Sequence, residues 1–263
     1  MRAALSVAQG GQRGQGRAMW FQKPFYTWLV IGSVGLIALA VSIDLTFLKG
    51  LPDAPTMPDP VLRLLAITQP FVLMAAGTAL GVLLSEKVGL TSWLTDRMRG
   101  EPARFPAPVL PIAAGLIGGI LIALTDRWFF YLYTGGAAPA AALPSPMQGI
   151  AAITYGGIVE ELMLRYGLLT LFFWAAWKIR GRVPGPLTGG VLVVVVALLF
   201  GLGHLPAMAA SAPLDAAIAA RTILLNAALG VVYGWFYWKR GLEAGMMAHM
   251  ASHPGLWIGL SLF

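Results

Sequence analysis

The stretch LTGGVLVVVVALLFGLGHLPAMA, residues 187 to 209, contains no Asp, Glu, Lys or Arg. A run of this length and character crosses a hydrocarbon core of ~30 Å as a helix. Working outward from it, six more apolar runs lie at roughly 25–48, 61–85, 107–133, 148–176, 217–238 and 241–262. Open strands cannot satisfy their backbone groups in lipid, and the alternating ten-residue segments of a barrel are absent. The expected fold is all-α, a polytopic transmembrane helical bundle of about seven spans.

Composition agrees with this reading. Of the 263 residues, 58% are hydrophobic and 11% charged, against about 25% charged in an ordinary soluble domain. With no cysteine in the chain, disulfides, thiolate metal sites and a cysteine nucleophile are excluded. The net charge of +7 is explained by its placement. Arg2, Arg13, Arg17 and Lys23 precede the first span. Lys87, Arg97, Arg99 and Arg104, then Lys178, Arg180 and Arg182, then Lys239 and Arg240 follow at every second connection. Basic excess marks the cytoplasmic side, so the N-terminus is expected in the cytoplasm and the C-terminus outside, with membrane lipid rather than nucleic acid as the partner.

Residues 1–23 read as a disordered basic cytoplasmic tail, and 24–263 as a single transmembrane domain. The stretch from Gly135 to Pro146 reads as an exoplasmic connection, and Glu86 to Arg104 as a segment lying at the cytoplasmic interface. GxxxG spacings at Gly77/Gly81, Gly115/Gly119, Gly230/Gly234 and Gly255/Gly259 point to close helix packing inside the bundle.

A charged side chain near the bilayer centre costs at least ~2.5–3.5 kcal/mol, so each one marks a candidate site. Glu160, Glu161 and Arg165 lie near the middle of the fourth run, and the chain's three histidines, His204, His249 and His253, fall within or at the ends of later runs. Asp44, Asp126 and Arg127 lie nearer span ends, where side chains snorkel, and are read as structural. On a helix, residues four apart share a face and adjacent ones diverge by about 100°. Glu161 and Arg165 are therefore expected to pair, leaving Glu160 to face elsewhere as a base able to take a proton from water. Phe200 and His204 share a face, as do His249 and His253. The histidines are suited to orient water, to donate to an oxyanion or to ligate a metal. On ideal upright helices His249 lies about 12 Å from the cytoplasmic end of its span and His204 about 25 Å from the start of its own, so tilt or a break at Pro206 must bring them level. Access from the cytoplasmic side is the expectation.

HExxH, GxGD, GxSG and P-loop patterns are absent from the sequence. Glu160-Glu161-x-x-x-Arg165, Phe200-x-x-x-His204 and His249-x-x-x-His253, in that order on three late spans, resemble the signature of the CPBP family. This family includes the type II CAAX prenyl endopeptidases and bacterial immunity or bacteriocin-processing proteins. The likeness covers about 148–260. It implies hydrolysis of a peptide bond by a glutamate-type intramembrane endopeptidase without a covalent intermediate. Glu160 would be the base assisted by His204, Glu161 and Arg165 would support the site, and His249 would bind water or the oxyanion. The family usually carries Asn, or sometimes Asp, where this chain has His253. That departure also opens a three-histidine, one-glutamate set to zinc, although no cofactor is the favoured reading.

Two alternatives share these residues: a membrane accessory, scaffold or immunity protein within a membrane protein complex, and a proton-coupled transporter. As an enzyme the chain would act on a membrane-associated peptide or protein. Its short loops suggest a bacterial inner membrane.

Overall fold

A computed structural model describes the backbone of residues 2–46, 56–136, 143–211 and 213–262, and side chains from Met19 onward, those of Ser211 excepted. Lys49, Asp53 and the centre of the connection between Gly135 and Pro146 lie outside the described residues. Helix α1 is Arg2–Ser42 and α2 is Asp59–Leu84; the short helix α3 is Trp93–Arg99 and α4 is Val109–Tyr133. A single rod, α5, combines Pro146–Ala151, two π-helical stretches at Ala152–Glu160 and Leu162–Leu169, and Thr170–Arg180. Then come α6 (Pro186–Gly203), α7 (Leu205–Ser211), α8 (Ala216–Arg240) and α9 (Leu242–Ser261). No strand occurs among the described residues.

The backbone of α1 is already helical from Arg2, where composition suggests a disordered tail; no proline interrupts it before Pro24. Sequence-local signals set the other ends. Ser145 and Gln148 form a reciprocal capping box with Pro146 in the first turn of α5, and Gly181, at φ 69°, closes that helix. Asp215 caps α8 through the Ile218 N–H at 2.8 Å. Pro206 lacks the N–H that would extend α6, so the chain breaks at His204, whose own N–H turns back to the Gly201 carbonyl at 3.1 Å.

Among the described residues, five helical segments are long and apolar enough to cross a membrane: Met19–Ser42, Asp59–Leu84, Val109–Tyr133, Pro186–Ala210 and Ala216–Arg240. Val34, Leu65, Leu121 and Val191 are among the large apolar side chains that these segments turn outward. The runs expected at 148–176 and 241–262 are α5 and α9, and length and apolarity do not single these out as spans. They are the inner helices. Val159, Leu162, Tyr166, Leu169 and Phe173 of α5 are fully buried beneath Trp28, Met74, Val193 and Tyr237. Helices shielded by other helices can carry polar groups that lipid-facing ones cannot.

Glycines set these close approaches. A Cβ at Gly115 or Gly119 of α4 would collide with the Ala248 or Ser252 carbonyl of α9, and one at Gly255 with the Leu116 carbonyl. The GxxxG pairs thus bring backbones together inside the bundle.

The segment from Glu86 to Arg104 docks at the end of the bundle near Leu242. Glu243 accepts hydrogen bonds from Ser92 Oγ and the Trp93 N–H, both at 2.9 Å, and from the Leu94 N–H at 3.0 Å, and so caps α3. Thr95 joins Trp28 Nε1 at 3.0 Å and Tyr166 Oη at 2.8 Å. Burial pushes the Asp96 carboxyl up to about 6, with Glu101, Glu243 and Glu86 adding to the rise and Arg99 opposing it. Between its unfolded value of 3.8 and about 6, folded Asp96 holds a proton that the undocked form has released, so α3 docking weakens as pH rises through that window. Hydrogen exchange of the 93–99 amides should therefore quicken from pH 4 to 7 beyond its intrinsic dependence, and Asp96→Asn should remove the excess; an excess that persists in the variant would refute this origin.

Candidate active site

Four helices and one helix break assemble the polar residues. α5 supplies Glu160, Glu161 and Arg165, the end of α6 supplies Phe200 and His204, α8 supplies Tyr233, and α9 supplies His249 and His253. Arg165 and Glu161 are wholly buried, and Arg165 Nη1 lies 2.9 Å from Glu161 Oε1. Arg165 Nη2 donates to the Gly230 carbonyl at 3.1 Å, and the guanidinium carbon lies 4.7 Å from the Phe200 ring centre and 5.2 Å from that of Tyr233. The expected Glu161–Arg165 pair therefore forms, even though the turns around it are π-helical. π-helical turns recur at functional sites.

Glu160 points elsewhere, into a cavity of 320 Å³ that it lines together with Tyr155, His204, Tyr233, His249 and His253. His249 bridges the two carboxylates. Its Nδ1 lies 2.8 Å from Glu161 Oε1, and its Nε2 lies 3.8 Å from Glu160 Oε2. The Tyr233 ring stacks on His249 with centres 4.2 Å apart, while Tyr233 Oη donates to Ser252 Oγ at 2.6 Å and Ser252 Oγ to the His249 carbonyl at 2.7 Å. The depths of His204 and His249 are reconciled through Phe200, whose ring centre is 4.6 Å from one imidazole and 5.7 Å from the other.

Hydrogen-bond logic separates the three imidazoles. The Phe200 carbonyl can only accept, so His204 Nδ1, 2.8 Å away, carries the proton and Nε2 is bare in the neutral ring. His249 donates from Nδ1 to Glu161, which likewise leaves its Nε2 as an acceptor towards Glu160. His253 Nε2 is buried without a hydrogen-bond partner, and this nitrogen is the one free to carry N–H into the cavity. Among the described residues, no group of three or more His, Asp or Glu side chains is arranged to hold a metal ion.

Several lining residues escape sequence reasoning. Tyr155, Tyr233, Asn226 and Ser252 carry no charge to mark them within apolar runs. Arg221 does, but it lies only four residues into the run at 217–238, near a span end, where the test that singled out Arg165 does not select it. Asp126, read as structural, is paired with Arg221 at the cavity wall. Gly156, one turn before Glu160, leaves space for both imidazoles: a Cβ there would stand 2.7 Å from His253 Nε2 and 3.2 Å from His249 Nε2. Gly156→Ala should therefore displace both rings. A misplacement of about 1 Å can cost 10²-fold, so activity should fall by that order while the helix, gaining a better helix former, stays folded. Full activity with alanine would show that the rings need not hold these positions.

The fold and site together define an all-helical integral membrane protein with a buried glutamate–histidine centre facing a cavity. Residues 142–253 match the family model described as type II CAAX prenyl endopeptidase Rce1-like. All seven residues named in the motif pattern fall within the matched stretch. No curated protein and no solved structure matches the chain.

Proposed function

We propose that the chain is an intramembrane endopeptidase in which Glu160 activates water for direct attack on a peptide carbonyl. The observation that carries this reading is the division of labour around His249: Glu161, locked to Arg165, orients the ring from Nδ1, and Glu160 faces the bare Nε2 across 3.8 Å. A water held by Glu160 Oε2 and His249 Nε2 gives one proton to Glu160 as its oxygen adds to the carbonyl carbon. His253 Nε2–H donates to the oxyanion, and His204 assists on the opposite wall. The C–N bond then breaks as Glu160 passes its proton to the leaving nitrogen. The other water hydrogen ends on the new carboxyl group, and no covalent enzyme intermediate forms.

In this reading α5 and α9 also cross the membrane, giving seven spans with the basic connections in the cytoplasm. The cavity runs from Glu160 towards Asp126 and Arg221, at the ends of α4 and α8 remote from Lys239 and Arg240. Entry is then from the exoplasmic side, the reverse of the expectation from helix depth alone.

The test compares new peptide N-termini in membranes of cells expressing the native chain with those expressing Glu160→Gln at matched levels. Products present only with Glu160 support the reading and identify the substrate. Matching profiles, with a phenotype that both chains sustain, would turn the cluster into a structural or partner-binding feature.

A further inference from the structure

We propose that a groove between α6 and α8 binds an anionic phospholipid, with one acyl chain in the groove and the headgroup phosphate against Lys239 and Arg180. The site asks nothing of the endopeptidase chemistry; it needs only that α6 and α8 cross the membrane, as their length and apolarity allow. The groove has a volume of 480 Å³ and shares no lining residue with the cavity of Glu160. Leu187, Gly190, Val191 and Val194 of α6 form one side, and Trp235 and Trp238 of α8 the other. Two glycines shape it. A Cβ at Gly189 would collide with the Trp238 ring, so this glycine lets the helices close together, whereas a Cβ at Gly190 would meet nothing within 4 Å. The walls stay open to lipid: Leu187 is 82% exposed and Trp235 42%.

Its length fits one leaflet. Along α6 the groove runs from Pro186 to Val195, roughly 14 Å at 1.5 Å per residue, and along α8 from Trp238 back to Val231, roughly 10 Å. Half of a ~30 Å hydrocarbon core is about 15 Å. A partner helix would need an interface through the full depth, whereas a single acyl chain needs only this half. The groove begins at the charged end of the bundle. Arg180 Nη1 donates to Thr188 Oγ1 in the first turn of α6, and Lys239 Nζ stands 3.4 Å from the Trp238 ring centre. Lys178, Arg182 and Arg240 flank them in sequence, and no Asp or Glu occurs from 162 to 214 or from 216 to 242. Of the neighbouring acids, Glu86 pairs with Arg99 at 3.5 Å and Glu243 caps α3. Exposed cations above an apolar slot that descends one leaflet match a phosphate above and hydrocarbon below. A zwitterionic lipid offers the same chain but brings its own cation to a rim already rich in them.

Trp235 reports whether the groove is filled. The full chain is placed in phosphatidylcholine nanodiscs in which a rising fraction of the lipid is phosphatidylglycerol with dibrominated acyl chains or, separately, phosphatidylcholine with the same chains. Bromine quenches tryptophan on contact, and the part due to Trp235 is the difference between the native chain and Trp235→Phe. Two engaged cations predict half-maximal quenching at an about 10-fold lower fraction of phosphatidylglycerol than of phosphatidylcholine at about 0.15 M salt. Arg180→Gln together with Lys239→Gln should bring the two curves together. Gly190→Leu, which fills the open space and keeps both cations, should do the same by excluding the chain. Arg180 and Lys239 are exposed and Gly190 borders open space, so the folded protein accommodates each change.

Coincident curves for the native chain would overturn the proposal, as would a preference that survives the paired charge variant. A preference that survives Gly190→Leu would overturn it too, since the basic rim would then draw headgroups without the groove. Trp235 quenched by neither lipid would assign the groove to protein, a second copy or a partner helix. A preference erased by millimolar inorganic phosphate would assign the cations to a soluble anion instead. Failure of the endopeptidase reading shows independently, as unchanged peptide N-termini when Glu160 is replaced.

Discussion

Glutamine in place of Glu160 lowers turnover of a cleavable membrane peptide by about 10²- to 10⁴-fold, the usual contribution of a positioned general base, and leaves the unfolding midpoint of the protein unchanged. Both halves of this result follow from the geometry. The Glu160 side chain is 17% exposed, faces the cavity, and approaches His249 no closer than 3.8 Å, so the fold does not rest on its charge. Glutamine keeps its size and one accepting oxygen but cannot take the proton of water. Glu161→Gln gives the opposite pattern. Its Oε1 receives both Arg165 Nη1 at 2.9 Å and His249 Nδ1 at 2.8 Å, so loss of its charge strands a buried guanidinium and lowers stability. Rates and unfolding midpoints for the two purified variants check the assignment. Equal losses of stability, or turnover retained by Glu160→Gln, would remove Glu160 from the role of base.

How much of this arrangement was legible in the sequence depends on whether a relation is local or crosses between helices. The Glu161–Arg165 pair follows from spacing within one helix, and the ends of α5 and α8 follow from Ser145, Gly181 and Asp215. The break at His204 is foreshadowed by Pro206. The contact of one histidine with both adjacent glutamates is different in kind. It depends on the rotation of α9 against α5, which is set by glycine contacts with α4 and by the π-helical turns that shift the faces of α5, and hydrophobic periodicity reports neither. α5 and α9 also show why the count of spans was harder to read than the fold class. Polar groups lower the apolarity of α9 and π-helical stretches interrupt α5, so an argument built on long apolar helices loses strength where the site is built. Asp126 and Arg221 lie on different helices, 95 residues apart in sequence, and only the fold reveals that two apparently separate charges form a pair. Glu243 was passed over at the start of its run; its value lies in capping α3, a contact that nothing local announces.

Arg165→Met should destabilise the protein by about 3–5 kcal/mol, the cost of breaking a buried ion pair by removing one partner. The replacement fills much of the same volume, so the loss comes from electrostatics and not from a cavity. Glu161, wholly buried, would keep only the His249 N–H on Oε1, because its Oε2 has no hydrogen-bond partner even in the native protein. The Gly230 carbonyl would lose the donor that joins α8 to α5. Replacing both Glu161 and Arg165 by methionine removes the stranded charge, and most of the stability should return, since well-packed apolar residues often match or exceed a buried pair. Activity should not return with it. His249 would have lost the acceptor that holds Nδ1–H and aims Nε2 at Glu160, and a ring free to turn no longer presents a bare nitrogen to water. Denaturant unfolding in detergent, paired with turnover of the same samples, separates the two effects. A single variant within about 1 kcal/mol of the native protein would show that Glu161 has other compensation. A double variant that regained both stability and turnover would show that the pair does not act through His249.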